Sequence, residues 1–265
     1  MLKVNEQTVP YQEGIRLKDL VEMYKPDADL FIVNGYPVFL DTVLADGDIC
    51  CLIKRGENPT AKEMESLLVA RHTPGVHEVV KKTTIGIMGL GGLGTVVAAA
   101  LARIGIGKLI LADFDVVEPS NLNRQQYSIS QIGMLKTKAL KENLLQVNPY
   151  IVIETVDGRL TEESIPEIFK CVDVLAECFD DPAMKAAALR AALTYMPGTG
   201  YVGASGLAGY GDNNSIITQK VHDNVYIIGD GKSAAGPAQG LMAPRVGIAA
   251  HHQANQILRI LLGKD

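Results

Sequence analysis

The sequence predicts an α/β protein in which a mainly parallel sheet with flanking helices follows a small β-rich domain. From about residue 81 onward, apolar runs of strand length alternate with stretches of helical period, which is typical of parallel strands joined by crossover helices. Before residue 57, short strand-like runs surround a single helical stretch. With 265 residues and 47% hydrophobic content, the chain is long enough to bury a core in both parts.

Composition and charge argue against several classes of protein. The net charge of −5 and the pI near 5.6 disfavour a broad nucleic-acid or anionic-membrane surface, so we expect small molecules and proteins as partners. The sequence opens without a secretory leader, and its apolar runs fall short of the roughly 18 residues that span a bilayer, so we expect a cytoplasmic location. The four cysteines form no C-x-x-C pair, so we expect no zinc.

The first 56 residues are predicted to fold in the order β-β-α-β-β-β, with the helix at 15–23. Asn34-Gly35 supplies the positive φ angles of a tight hairpin turn. This order and these turns resemble the ubiquitin-like β-grasp fold of the sulfur-carrier protein ThiS. The predicted strands cover residues 2–4, 9–11, 30–33, 38–40 and 49–53.

The predicted β-grasp domain, residues 1–56, departs from a working carrier at its end. Such a carrier ends in a free Gly-Gly carboxylate, whereas Gly56 continues here into a new helix. A structural, docking or regulatory role is therefore favoured over a carrier released by cleavage after Gly56. Thr60 and Glu63 have the spacing of a capping box, so we expect a linker helix within 57–80 that ends near Arg71.

The third predicted domain, residues 81–265, begins with a glycine-rich turn between a short apolar strand and a helix at 95–104. The glycines of this turn are Gly89, Gly91, Gly92 and Gly94. A strand, a glycine-rich turn and a helix N-terminus together predict a Rossmann-like nucleotide site, because the free N–H groups face phosphate. The next strand ends at Asp113, where a carboxylate accepts hydrogen bonds from ribose. These features alone fit NAD as well as ATP.

The residues after Asp113 make the prediction more specific. Residues 113–125 read DFDVVEPSNLNRQ, which resembles the D-x-D-x-V-x-x-S-N-L-x-R-Q signature of the ThiF, MoeB and ubiquitin-activating enzymes. Further matches are Gly133-x-x-Lys136 with Asn148-Pro149, Asp180 after a hydrophobic strand, and G-L-M-A-P at 240–244. The chain is thereby identified as a member of the ThiF/MoeB/HesA family, with a Rossmann-like sheet preceded by the β-grasp domain.

The resemblance implies which residues hold ATP and Mg²⁺. It gives Asp180 to Mg²⁺, which prefers hard oxygen ligands. Asp115 and Gln125 are further candidates, with a turn cap and a supporting hydrogen bond as the respective alternatives. Lys185 stands where the family often carries arginine, and a solvent-facing lysine is its alternative. The residues assigned to the nucleotide are the turn glycines with Gly92 and Asp113 at the adenosine, and Ser120, Asn121, Arg124 and Lys136 at the phosphates.

The resemblance also implies a homodimer in which Arg71 reaches the neighbouring subunit's ATP site. A helix-terminal arginine that interacts with the helix dipole is the competing explanation. The residues between Tyr201 and Gly240 contain no cysteine, so we expect a separate sulfur donor. The glycine-rich residues 203–212 are expected to form a mobile loop that admits the tail of the carrier.

The activity that the resemblance implies is adenylation of the C-terminal glycine carboxylate of ThiS by ATP, in thiamine thiazole synthesis, with release of pyrophosphate. Adenylation of a molybdopterin-synthase-type carrier, as by MoeB, is the close alternative. A weakly catalytic nucleotide-binding scaffold and an NAD(P)-dependent oxidoreductase are alternatives from other functional classes.

Overall fold

The chain divides into two units, Met1–Glu78 and Val79–Asp265, each with its own sheet. They are described by a computed structural model, which covers residues 1–5 and 7–264. A short helix, α3 (Val76–Val80), spans the limit between the two units. The α/β class predicted from the sequence is confirmed.

The N-terminal unit has the predicted order β-β-α-β-β-β, followed by one more helix. Its sheet has the strand order β2-β1-β5-β3-β4, in which β1 and β5 run parallel and the other neighbouring strands run antiparallel. Its elements are β1 (Leu2–Val4), β2 (Gln7–Val9), α1 (Leu17–Tyr24), β3 (Leu30–Val33), β4 (Tyr36–Pro37), β5 (Ile49–Ile53) and α2 (Ala61–Arg71).

Two strand predictions in this unit were wrong, and proline explains both. The second strand ends at Val9 rather than at residue 11, and the fourth ends at Pro37, so that 38–40 lie outside any strand. Proline has no N–H to continue a ladder, and it follows or ends the strand at both places. Leu40 instead accepts a hydrogen bond from Lys18 N at 3.0 Å, beside the start of α1.

Both faces of the N-terminal sheet are covered by helices. Successive side chains of β5 point to opposite faces, so Cys50 and Leu52 join the core under α1. Cys51 and Ile53 face the other way and pack with residues that include Leu67 of α2. The predicted capping box at the start of α2 is confirmed, because Thr60 Oγ1 accepts from Glu63 N at 3.3 Å and Thr60 N donates to Glu63 Oε2 at 2.9 Å.

The C-terminal unit is a seven-stranded sheet in the order β11-β12-β10-β9-β6-β7-β8, with parallel neighbours except for the edge strand β11. No helix in the described part of the chain is long and apolar enough to cross a bilayer. The elements of the C-terminal unit are β6 (Thr84–Met88), α4 (Gly92–Arg103), β7 (Lys108–Asp113), α5 (Lys136–Val147), β8 (Val152–Asp157), α6 (Ser164–Ile168), β9 (Val174–Glu177), α7 (Pro182–Tyr195), β10 (Gly200–Ala204), β11 (Ile217–His222), β12 (Val225–Gly229) and α8 (Ala243–Leu261).

Helices cover both faces of this sheet. α4 and α8 pack against each other, and α8 contacts the central strands β9 and β10. A buried cluster that includes Phe169, Leu175 and Ala188 joins the sheet to α6 and α7. The sheet is therefore buried on both faces, as is usual for parallel strands.

Gly94 lets α4 begin very close to the end of β6. A Cβ atom at this position would lie 2.0 Å from the carbonyl oxygen of Gly89, whose own φ is +89°. The same atom at Gly91 would have Gln125 Nε2 as its nearest neighbour, at 3.7 Å, which is ordinary contact. The two glycines therefore differ sharply in the space that they leave for a methyl group.

We expect Gly94→Ala to lower the free energy of unfolding by about 3 kcal/mol, because backbone atoms must move apart to admit the methyl group. Gly91→Ala is the matched control in the same turn, with an expected cost of about 1 kcal/mol or less. Urea unfolding followed by circular dichroism measures both values. Equal stability of the two variants would contradict the tight packing of Gly94 against Gly89.

Candidate functional site

The strand order places a crevice at the carboxyl ends of β6 and β9. From β6 the chain continues to β7 and β8 on one side of the sheet, and it then crosses to β9 on the other side of β6. Ligands of open α/β sheets bind where the strand order reverses in this way. Residues after β6 and residues after β9 therefore flank the same crevice.

The glycine-rich turn after β6 is held in place by side chains of three neighbouring segments. Leu90 N donates to Asp113 Oδ2 at 2.6 Å, and the Tyr127 hydroxyl donates to the carbonyl oxygen of Leu90 at 2.8 Å. Thr95 Oγ1 donates to the carbonyl oxygen of Gly91 at 2.9 Å. Burial raises the pKa of Tyr127 well above its usual range, so its hydroxyl stays protonated and remains a donor.

Asp113 is the last residue of β7 and Asp115 follows it, and Lys136 joins them from the start of α5. Asp113 Oδ1 accepts from Asp115 N at 2.8 Å, and Lys136 Nζ lies 2.9 Å from Asp115 Oδ2. Lys136 is buried, and its backbone N–H also donates to the carbonyl oxygen of Asp115 at 3.0 Å. Asp115 therefore pairs with the predicted phosphate lysine rather than merely capping a turn.

Arg124 is the predicted phosphate ligand that lies beside the start of α4. Its Cγ is 3.3 Å from the position of a Cβ on Gly92, and its Nη1 donates to Asn123 Oδ1 at 2.8 Å. Ser120 is exposed. Asn121 is buried, and its Oδ1 accepts from Glu118 N at 3.0 Å, so this oxygen caps the local turn.

Gln125 carries a buried polar atom without a hydrogen-bond partner among the described residues. The side chain is 7% exposed, and Oε1 has no hydrogen-bond partner among the residues that the structure describes. Its amide lies near Gly91, next to the first turn of α4. A buried acceptor without a partner costs about 1–3 kcal/mol, so a donor supplied by a bound molecule would remove this cost.

Across the crevice, the turn after β9 carries two neighbouring carboxylates that differ in their surroundings. Asp180 is exposed and forms no hydrogen bond or ion pair with the described residues. Asp181 is exposed too, but its Oδ1 accepts from Ala183 N at 2.9 Å and caps α7. Only Asp180 therefore leaves its carboxylate entirely to solvent or to a ligand.

Lys185 is not a solvent-facing lysine, so this alternative was wrong. Its Nζ lies 2.9 Å from Glu177 Oε1 and donates to the carbonyl oxygen of Ala204 at 2.9 Å. Glu177 is 2% exposed, and its burial raises the pKa of this carboxyl group even though Lys185 and Phe179 N act in the opposite direction. Cys178 is buried as well, and burial raises the pKa of its thiol, which disfavours the reactive thiolate.

The glycine-rich segment after β10 is tied to the start of α8 by Arg245. Arg245 is buried, and its Nη1 donates to the carbonyl oxygens of Gly211 at 2.9 Å and Asp212 at 3.1 Å. Its Nη2 lies 2.8 Å from Asp230 Oδ2. Burial acts to raise the pKa of Asp230, but hydrogen bonds from Ser233, Lys232 and Arg245 outweigh it and hold this pKa well below its usual range.

Arg71 and the cysteines complete the predicted residues. Arg71 is the exposed last residue of α2 in the N-terminal unit, a position that favours a cation at the negative end of the helix dipole. Of the cysteines, Cys171 is exposed and the other three are buried. No cluster of three or more His, Cys, Asp or Glu residues suits a metal ion in the part of the chain that the structure covers.

Sequence reasoning missed Tyr127, Glu177 and Arg245. Tyr127 and Arg245 act through hydrogen bonds to residues far away in the sequence, which no local pattern predicts. Glu177 had one available signal, because a charged residue at the end of an otherwise apolar strand at the centre of a sheet needs a partner.

The chain fits a nucleotide with phosphates at the start of α4. Thr95 N is the first backbone N–H of α4 that has an acceptor in the helix, namely the carbonyl oxygen of Gly91 at 3.1 Å. The three N–H groups before it, at the start of α4, have no such acceptor. The free N–H groups, the dipole of a 12-residue helix and Arg124 all favour negative charge at this point. The free carboxylate of Asp180 across the crevice suits a hard cation such as Mg²⁺.

Comparisons with known proteins agree with this geometry. A model of the ThiF family matches residues 65–265, and a model described as ThiS-like ubiquitin matches residues 1–56. The molybdopterin-synthase adenylyltransferase of Haemophilus influenzae is 31% identical over 207 residues, which cover 70% of this chain and 77% of that protein. The Saccharomyces cerevisiae adenylyltransferase and sulfurtransferase UBA4 is 29% identical over 204 residues, which cover 74% of this chain and 46% of that protein.

Coverage of other relatives is smaller. The ubiquitin-like modifier-activating enzyme 5 of Caenorhabditis elegans is 38% identical over 129 residues, and the chain spans only 31% of that protein.

Solved structures share the fold over about three quarters of the chain at low sequence identity. The E. coli tRNA N6-threonylcarbamoyladenosine dehydratase TcdA with AMP has a TM-score of 0.69 at 18% identity, over 77% of this chain and 97% of that one. E. coli MccB with ATP has a TM-score of 0.58 at 22% identity, over 76% of this chain and 62% of that one. Because the family model covers well over half of its length, the chain belongs to the ThiF family.

Proposed function

We propose that the chain uses ATP to adenylate the C-terminal glycine carboxylate of a small ubiquitin-like sulfur carrier, with release of pyrophosphate. The observation that carries the proposal is the pair of crevice walls. One wall holds the start of α4 with Arg124 beside Gly92, and the other holds the free carboxylate of Asp180. A positive wall suits a triphosphate, and an opposing carboxylate suits the cation that accompanies it. Membership of the ThiF family favours ATP over NAD.

The chemistry needs charge stabilisation rather than a general base. A carboxylate is already ionised at neutral pH, and its oxygen attacks the α-phosphorus of ATP to form a mixed anhydride while pyrophosphate leaves. The N–H groups of α4 and the guanidinium of Arg124 would stabilise the charge on the phosphate oxygens. Lys136 would add positive charge near the phosphates, although its ammonium is paired with Asp115 Oδ2 at 2.9 Å.

Asp180 is the residue that we assign to Mg²⁺. Mg²⁺ keeps several waters and takes one or two protein carboxylates beside phosphate oxygens, so one free carboxylate suits it. When bound, the ion would supply positive charge to the departing pyrophosphate. Asp181 is less suited to this role because its Oδ1 already accepts from Ala183 N at the start of α7.

The carrier is expected to come from another chain. Gly56 of the N-terminal unit is followed by α2, whose Leu67 packs on the sheet face that carries Ile32 and Cys51. The unit therefore offers no free carboxylate at Gly56. The sulfur donor is expected to be separate as well, because Cys178 is buried and the segment from Tyr201 to Gly240 contains no cysteine.

ThiS is our first candidate for the carrier, and a molybdopterin-synthase-type carrier is the second. The ThiS-like match at residues 1–56 supports the first, since fused domains commonly belong to the same process as their neighbours. The H. influenzae molybdopterin-synthase adenylyltransferase, at 31% identity over 70% of this chain, supports the second.

ATP–pyrophosphate exchange with purified carriers tests the proposal. We expect exchange with ThiS, little with the molybdopterin carrier, and none without a carrier. Exchange only with the molybdopterin carrier would move the assignment to the second candidate. Exchange without any carrier would show that the N-terminal unit is itself processed, and its absence under every condition would leave a nucleotide-binding scaffold.

Asp180→Asn should lower the rate of carrier-dependent exchange by about 10²- to 10³-fold, because the cation loses its carboxylate while the site keeps its shape. Asp181→Asn is the matched control. Asparagine caps helices as well as aspartate does, so this variant should keep nearly the wild-type rate. Initial rates at saturating ATP and carrier decide the matter, and similar losses in both variants would exclude a special role for Asp180.

Mixed dimers test the role that the family resemblance implies for Arg71. If Arg71 acts on the partner's site, Arg71→Ala and Asp180→Asn are each inactive alone. Co-refolded heterodimers then contain one intact site, which returns about a quarter of the wild-type exchange rate for random pairing in a twofold dimer. Normal exchange by Arg71→Ala alone would instead leave only its interaction with the dipole of α2.

A further inference from the structure

An ion pair between a buried carboxylate and a partly buried lysine lies beside the wall of the crevice that carries Asp180. Glu177 is the last residue of β9, and its carboxylate accepts from Lys185 Nζ at 2.9 Å and from Phe179 N at 2.8 Å. The Glu177 side chain is 2% exposed and the Lys185 side chain 27% exposed. The Glu177 carboxylate is shielded from solvent, and neither group has a place in the adenylation chemistry described above.

The pair joins the two segments that leave the sheet on this side of the crevice. Phe179 N, which Glu177 holds, belongs to the turn that leads directly to Asp180. Lys185 Nζ also donates to the carbonyl oxygen of Ala204 at 2.9 Å, where β10 ends and the glycine-rich segment begins. A Cβ on Gly203 would lie 3.0 Å from Glu177 Oε2, so β10 approaches the carboxylate closely.

Stability alone is a weak reason for such a pair. Removing the Glu177 carboxylate from water costs several kcal/mol, and well-packed apolar side chains of similar volume often stabilise a fold as well or better. What the pair supplies is geometry. One carboxylate and one ammonium fix the path of the turn at Phe179, the first turns of α7 and the end of β10 relative to one another.

We propose that Glu177 and Lys185 are positioning residues that hold the carboxylate of Asp180 in place to bind the cation of Mg·ATP. The inference rests on the proposed function in one respect, namely the assignment of Asp180 to Mg²⁺. Residues that support a metal ligand in this way typically change metal affinity by about 10- to 100-fold when they are replaced.

Nucleotide binding tests the inference without any turnover. The affinity of a fluorescent ATP analogue is measured over a range of Mg²⁺ concentrations and again in EDTA. Lys185→Met should raise the Mg²⁺ concentration for half-maximal effect by about 10- to 100-fold. Its affinity in EDTA should equal that of the wild type, because the start of α4 and Arg124 are untouched. Lys185→Arg, which keeps the cation, should recover most of the Mg²⁺ response.

Arg190→Met is the matched control for the loss of one cation from α7. Arg190 Nη2 lies 2.7 Å from Glu162 Oε2 in an exposed ion pair, so its removal should leave the Mg²⁺ response unchanged. The inference would be overturned if Lys185→Met responded to Mg²⁺ as the wild type does, or if it lost nucleotide affinity equally with and without Mg²⁺. It would also be overturned if nucleotide binding by the wild-type protein did not depend on Mg²⁺. If the wild-type protein responds to Mg²⁺ but supports no carrier-dependent exchange, the proposed function is rejected and the positioning role of Glu177 and Lys185 stands.

Discussion

The first turn of α4 lies against the end of β6, and this contact determines where the rest of the site can be built. It exists because Gly94 has no side chain to meet the carbonyl oxygen of Gly89. The turn between them presents its free N–H groups to the crevice, while Asp113 and Tyr127 hold it through Leu90. A binding site for phosphate needs donors that are fixed before the ligand arrives, and these contacts fix them.

Each wall of the crevice contains a lysine near the start of a helix, paired with a carboxylate from the preceding part of the chain. Lys136 opens α5 and pairs with Asp115, and Lys185 lies in the first turns of α7 and pairs with Glu177. A cation at a helix N-terminus is disfavoured by the dipole, so each needs its carboxylate. The positive potential available to a ligand therefore comes mainly from α4 and Arg124.

The sequence was sufficient for features that depend on neighbours along the chain. The capping box of Thr60 and Glu63, the glycine-rich turn and the acid at the end of β7 all have local causes, and the structure contains each of them. The strand expected at 38–40 failed because β4 ends at Pro37 and the chain then hydrogen-bonds with the start of α1 instead. The Glu177–Lys185 pair could not be predicted, because its geometry depends on a crossover through α7 and on the adjacent strand β10.

The chain continues past Gly56 into α2, so the N-terminal unit and the ThiF-type unit belong to one polypeptide. A free carrier is supplied, consumed and regenerated, so its ratio to the activating enzyme changes with its synthesis. Here a single chain contains one carrier-like unit and one ThiF-type unit, and α2 is folded onto the sheet of the first. Any influence of that unit on its own chain is therefore intramolecular, and dilution of the protein cannot remove it.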